Sequence, residues 1–364
     1  MLYNAFNFKI ADNDKVDVIG LNNKVQAEYV WNLFGVLKKD ILIVTNTIYE
    51  ANLLYKSLSY SHNNVYLYPM DDFLVSESLA SSPDLKAIRI DTLNSLTNNY
   101  DDKKILITNL TGYLRFLPTK EIWRESIIKI KKNSEYKREE LLDKLNTLGY
   151  TKDSIVTKTG EYSNRGYILD IFPYEYDLPV RIEFFDDEIE SIRYFNSDTQ
   201  LSLNDIDDVS IMPFTEFINT KKLQDIPSRQ SLLPRVLENY CNIEKYMDLP
   251  LSIFMDLDIL KQSHAKVLSD IEEFKETDVY KIDKYMFNLE ELLPKKYINI
   301  LSIDNYSSKN IVETYETKEI DRFNGNFNLL NIFINKNLKD SKKVVIVLED
   351  RKILEELSNY LDVK

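Results

Sequence analysis

The 364 residues include one cysteine, Cys241, two histidines, His62 and His264, and 7 glycines, a thin supply of three residue types on which much site chemistry depends. One thiol excludes a disulfide framework and a Cys-rich zinc site, and it fits a reducing compartment. Neither histidine has a Ser or Cys nucleophile motif beside it, so a catalytic triad is not indicated and surface positions are the plain expectation. No apolar run approaches the length of a membrane span. Asp12, Asp14 and Asp17 stand where a signal peptide would need its apolar core, so the expected chain is soluble and cytoplasmic. Basic charge is also short: 59 Asp and Glu against 46 Lys and Arg leave a net charge of -13. That balance argues against a chain whose main task is neutralising nucleic-acid phosphates. Internal repeats and low-complexity segments are not evident, and the abundance of Asn, Lys, Ile and Tyr reads as codon bias.

What is present is periodicity. The length suggests two or three compact units. Val16 to Gly20 reads as a strand and turn, and Val25, Ala27, Val30, Leu33, Phe34 and Leu37 recur at helical spacing. Ile41 to Thr45 is a β-branched run suited to a strand buried on both faces, and Ile48 to Leu58 reads as helix. Val65 to Tyr68, Leu85 to Leu96 and Ile105 to Thr108 continue the alternation, which implies a parallel sheet with right-handed crossovers. Near Leu117-Pro118 the texture changes. Trp123 to Ile130 reads as a strand, and Arg138 to Leu148 as an amphipathic helix with Gly149 as its C-cap. Segments 154–159, 166–172, 179–185, 188–195 and 207–212 then alternate with period 2, as in a small antiparallel domain. From about Ser228 helical periodicity returns, with strand candidates at Leu251 to Met255, Ile298 to Ile303 and Val344 to Leu348.

The first strand-turn-helix junction is where a nucleotide-binding fold places Gly-x-x-x-x-Gly-Lys-[Ser/Thr]. Taking Gly20 as the first glycine puts Val25 at the second, Gln26 at the lysine and Ala27 at the hydroxyl. A Cβ at Val25 hinders backbone approach to a phosphate, Gln26 brings no charge, and Ala27 cannot hold a metal. An ordinary helix start is the expected reading, with ATP binding at this loop lost. Asp256 and Asp258, after Leu251 to Met255, would suit a magnesium site, although such a pair more often marks a strand end. The cluster Asp186, Asp187, Glu188 and Glu190 could attract a cation, but a tight turn explains it. Lys129-Ile130-Lys131-Lys132 could touch DNA, with a solvated strand end as the plainer alternative.

A two-residue hairpin loop at Asp186-Asp187 would set Phe185 opposite Glu188, Glu183 opposite Glu190 and Arg181 opposite Ile192. Val180, Ile182, Phe184 and Ile189 then form the core side, and Arg181, Glu183 and Phe185 share the outer face. An outward Phe beside an Arg, and two glutamates facing each other, both suggest a partner. Arg165, just before Gly166, projects from the same small domain unless it pairs with Asp170 as a structural contact.

The run Gly160-Glu161-Tyr162-Ser163-Asn164-Arg165-Gly166, then Ile168-Leu169-Asp170-Ile171-Phe172-Pro173, Pro179 to Arg193, Phe195 and Thr199-Gln200, resembles the signature of the transcription-repair-coupling factor family. It is also similar to the homologous domain of the excision-repair protein UvrB. Weaker agreement extends to Gly20-Leu21, Ile41 to Thr45, Tyr68-Pro69 and Val344 to Leu348, so the whole chain fits that family's N-terminal UvrB-like module. The resemblance implies a degenerate, P-loop-NTPase-like α/β domain with a parallel sheet, split in sequence: residues 1–118 and 214–364 form its two parts, and 119–213 an inserted β-rich, UvrA-binding domain. Its UvrA-facing residues, carried over by position, are Arg165, Arg181, Glu183 and Phe185. It further implies no cofactor or metal in this segment, with ATP and magnesium used by motors beyond Lys364. RNA polymerase and DNA would likewise be reached through domains beyond this chain, and the UvrA surface would be restrained until the motor engages. UvrB itself needs an intact phosphate loop and a tyrosine-rich DNA hairpin, and neither stands here. Tyr167 replaces a usual glycine, Asn196 a usual Asp, and Ser163 an arginine common in UvrB relatives, which weakens the expected basic patch. A nucleotide- and magnesium-dependent enzyme using Asp256 and Asp258, or a UvrB-type excision-repair subunit, are the alternatives.

Overall fold

The computed structural model describes residues 6–60, 63–78, 82–98, 102–221, 223, 226–301, 310–317, 323–344, 346 and 351–361. They fall into two compact units, Met1–Glu316 and Thr317–Lys364. The first limb of the larger unit alternates β1 (Lys15–Ile19), α1 (Asn23–Leu37), β2 (Ile41–Thr45), α2 (Ile48–Ser59), β3 (Val65–Tyr68), α3 (Phe73–Glu77), α4 (Pro83–Asn98), β4 (Ile105–Asn109) and α5 (Leu110–Leu114). After β5 (Leu117–Pro118) and α6 (Lys120–Glu125) comes a β-rich insertion: β6 (Ile128–Lys131), α7 (Arg138–Thr147), β7 (Thr151–Lys152), β8 (Glu161–Arg165), β9 (Ile168–Ile171), β10 (Val180–Phe185), β11 (Glu188–Phe195), β12 (Ser202–Asp205) and β13 (Asp208–Ile211). The chain returns through α8 (Leu233–Val236), β14 (Tyr240–Cys241), β15 (Leu251–Met255), α9 (Leu257–Thr277), α10 (Leu289–Leu292), β16 (Tyr297–Ile300) and β17 (Ile311–Thr314).

Strands from both limbs share one seven-stranded sheet, ordered β17-β1-β16-β15-β2-β4-β3, and every pairing in it is parallel. The run Ile41–Thr45 shows why it is central: every residue is buried, Ile41 and Ile43 in the core against α1 and α2, Leu42 and Val44 in the core against α4 and α9. A strand buried on both faces has no position for a polar residue until its end. Local signals fix the helix starts. Thr47 and Glu50 form a capping box at α2, and the Asn22 side chain accepts from the Val25 amide at α1.

The inserted part holds a six-stranded sheet, β12-β11-β10-β9-β8-β7, whose inner face packs on α7 and on the β6-β13 pair. The C-cap of α7 is Leu148 rather than Gly149; Gly149, the next residue, takes the left-handed conformation at φ +84°, and the Tyr150 amide reaches back to the Leu145 carbonyl over 3.0 Å. The returning chain is fastened by buried ion pairs. Arg89 donates from Nε to both oxygens of Glu216, at 3.1 and 3.0 Å, and Tyr68 donates to the same carboxylate. Burial pushes the Glu216 carboxyl up, but Arg89 and Arg115 outweigh it and hold its pKa below the usual value. Arg229 joins Glu77 at 2.9 Å and Asp278 at 2.9 Å in the same manner.

Several expectations are corrected. Trp123 to Ile130 is not one strand: α6, capped by Thr119, occupies its first half, because Trp123 turns inward to donate to Asn94 Oδ1 at 2.9 Å. Segment 154–159 carries no strand; on its side away from β9, β8 pairs with β7, and that pairing is parallel, so the inserted sheet is mixed rather than antiparallel. His264 is buried, not on the surface. His62 and most of 344–348 lie outside the described residues. The smaller unit holds α11 (Phe327–Lys339) and α12 (Arg351–Tyr360), joined by Ile334, Leu357 and Leu361. Among the described residues, no helix is long and apolar enough to cross a membrane.

Candidate functional site

Alternation on β10 separates two sides. Val180, Ile182 and Phe184 are buried in the inserted domain's core, while Arg181, Glu183 and Phe185 take the other face. The loop is the two-residue Asp186-Asp187 turn, with Asp186 at φ +60° and Phe185 paired with Glu188. Beyond it the register departs from expectation. A bulge after Glu183 places Glu183 opposite Ser191 and Arg181 opposite Arg193, leaving Glu190 as the extra residue. Glu183 therefore faces no like charge. It accepts from Ser191 Oγ at 2.8 Å and from the Arg193 guanidinium, so its charge is met within the sheet and by itself asks for no partner.

In-register pairing brings Ser163, Asp170, Arg181 and Arg193 into one row across β8, β9, β10 and β11. Asp170 has no exposure at all. Arg181 grips it with two bonds, Nε to Oδ1 at 2.7 Å and Nη2 to Oδ2 at 2.9 Å, and Arg165 adds Nη2 to Oδ2 at 2.8 Å. The contact between Arg165 and Asp170, weighed above as a structural pair, is thus present together with a second arginine. Arg181 also donates to the Gln200 carbonyl at 3.2 Å and stacks over the Phe195 ring, 4.7 Å from its centroid. The bonds to Asp170 raise the Arg181 pKa further, so it stays charged. Asn196 builds the turn that delivers Gln200: its Oδ1 accepts from the amides of Asp198 and Thr199 at 3.0 and 2.8 Å. Asn does there what Asp would do, which removes the concern over that position.

The face therefore presents a half-exposed Arg165 and a Phe185 that is 73% exposed. Tyr167 is 70% exposed at the adjacent β8-β9 turn, where Gly166, at φ +60°, takes the left-handed position and no side chain is obstructed. Arg138 at the start of α7 donates to the Gly166 carbonyl and pins that turn. Asp170 and Arg193 are the participants not assigned to this site from spacing. Asp170 is gathered by the β8-β9 and β9-β10 pairings, and Arg193 by the bulged β10-β11 register.

The other candidates disperse. At the β1-α1 junction, Gly20 has φ +82° and sits against the backbone of Tyr315, whose carbonyl oxygen would lie 1.8 Å from any added Cβ. The Asn22 carbonyl accepts from the Val25 and Gln26 amides at 2.9 and 3.1 Å, and Ala27 is buried in the core. Asp256 caps α9, accepting from the Ile259 amide at 3.3 Å, while Asp258 is exposed on the first turn. Among the described residues no group of three or more His, Cys, Asp or Glu side chains is arranged to hold a metal ion, and this covers Asp186, Asp187, Glu188 and Glu190. Lys129 and Lys131 point outward from β6, with Lys131 paired opposite Asp208.

Comparison with known proteins converges on the same sheet. Residues 128–217 match the UvrB interaction domain. The chain is 34% identical over 201 residues to the transcription-repair-coupling factor of Bacillus subtilis strain 168, covering 55% of this chain and 17% of that protein. It is 36% identical over 205 residues to that of Staphylococcus haemolyticus, covering 56% and 17%, and 32% identical over 217 residues to that of Staphylococcus epidermidis, covering 59% and 18%. The matched stretch thus spans less than a fifth of these relatives.

Proposed function

From a chain that carries the UvrB interaction domain at residues 128–217 and is a relative of the transcription-repair-coupling factors over more than half its length, we propose that it recruits UvrA during transcription-coupled DNA repair. The outer face of β8 to β11 is the docking surface, with Arg165, Arg181, Glu183 and Phe185 as its residues. The observation that carries this reading is Phe185. A phenylalanine that is 73% exposed, on the same sheet face as a half-exposed arginine and inside the matched domain, is apolar surface that gains by being covered. In this reading the segment hydrolyses no ATP, since its β1-α1 loop spends its amides on its own helix. Contact with stalled RNA polymerase and with DNA, and the ATP-driven motor, belong to the longer protein.

The test is a calorimetric titration of the chain against UvrA. Phe185→Ala is expected to weaken binding by about thirtyfold or more while leaving the melting transition in place. Arg181→Ala is expected to lower both, because it removes two of the three arginine bonds to the buried Asp170 carboxylate. Undiminished binding by Phe185→Ala would remove the site assignment.

A further inference from the structure

We propose that Asp170 is a positioning residue which, with Arg181, holds Arg165 at the surface where the partner docks. The proposal rests on the reading of this face as the UvrA-docking surface, and it divides that surface into contacts and supports. Arg181 has little to offer a partner. Its side chain is 13% exposed, its Nε and Nη2 are spent on Asp170, its Nη1 on Gln200, and its plane on Phe195. Glu183 is likewise engaged by Ser191 and Arg193.

Arg165 differs in kind. One Nη2 bond to Asp170 fixes the guanidinium, and with the side chain 50% exposed its remaining donors face solvent. Asp170 carries one negative charge for two arginines, so the trio holds a net positive charge, and the exposed member is where that excess is accessible. A pre-oriented guanidinium with outward donors matches a carboxylate on the partner. Asp170 itself, fully buried at the centre of β9, cannot touch anything that docks. Its effect on docking must pass through the arginines it holds, with rotamer freedom of Arg165 the quantity it removes.

The experiment pairs binding with a partner-free readout on the whole chain. In titrations against UvrA, Arg165→Ala and Asp170→Asn are each expected to weaken binding by about tenfold or more. Asp170→Asn placed in the Arg165→Ala background should add no more than about twofold, because its effect is exerted through the missing side chain. Equal losses in both backgrounds, or intact binding by Asp170→Asn, would overturn the proposal. In parallel, nuclear magnetic resonance of the Arg165 guanidinium protons in the free chain should show protected signals that average away in Asp170→Asn. Signals unchanged by that substitution would overturn the positioning role. Should Asp170→Asn fail to fold, Arg181→Gln is read by the same two measurements. If the unsubstituted chain does not bind UvrA, the partner reading fails, and the Arg165 signals still decide for or against Asp170.

Discussion

A carboxylate without water around it persists only where cations and donors replace that water. Asp170 and Glu216 each meet the requirement with two arginines, Asp170 through Arg165 and Arg181, Glu216 through Arg89 and Arg115. Leaving such a carboxylate with no arginine at all would cost about 3–5 kcal/mol, against about 0–1 kcal/mol for a solvated surface pair. The outward facing of Phe185 was legible from alternation alone. The sharing of Asp170 was not, since one carboxylate between two arginines depends on strand partners that spacing does not specify. His264 is a residue-scale case of the opposite kind. It is buried, its Nε2 has no hydrogen-bond partner, and burial pushes its pKa below the usual 6.5, with Glu290 pulling weakly the other way. The folded pKa is therefore the lower one. Above pH 6.5 neither state is charged there; as pH falls below it the unfolded chain takes a proton that the folded chain resists, so stability drops. Melting temperatures of the unsubstituted chain and His264→Leu, compared just above and one unit below pH 6.5, should show a smaller acid-induced decrease in the variant.

Elements were read well where burial on both faces or a cap dominated the sequence. The strands of the seven-stranded sheet in the first limb, and α1, α2 and α4, follow from apolar runs and helical spacing. Elements set by tertiary contact were not: α6 turns on the fit of Trp123 against Asn94, β7 on a parallel pairing with β8, and the register of β10 and β11 on a bulge that no residue preference announces. The bulge matters for the electrostatics of this face, because it turns Glu183 from a repelled residue into a paired one. At the β1-α1 loop, the structure shows where the amides of the helix start are bonded. Amides that a phosphate would need at a helix start are bonded to Asn22, and Gly20 is pressed against Tyr315. Magnesium-ATP is accordingly expected to leave the melting temperature of this chain unchanged in a thermal shift assay, and a saturable increase would restore the nucleotide-dependent reading through Asp256.

At the scale of the molecule, two limbs of chain separated by the insertion build one parallel sheet, and buried arginine pairs at Glu216 and Arg229 tie the returning limb to α3 and α4. That arrangement fixes the roots of the inserted domain while leaving the outer face of its sheet partly open. An acidic chain with a net charge of -13 thus offers, on one small sheet, an arginine held by a buried carboxylate and a bare phenylalanine. Periodicity conveyed that a small β domain interrupts a larger α/β one. Which of its two faces lies outward followed from alternation on β10, and the partner proposed for that face rests on relatives. The most direct test is hydrogen-exchange footprinting of the whole chain with and without UvrA. Slowed exchange confined to the turns and strands around Arg165 to Ile168 and Glu183 to Glu188 is the predicted result. Protection at the carboxyl ends of the seven-stranded sheet, with the inserted sheet unchanged, would contradict the account.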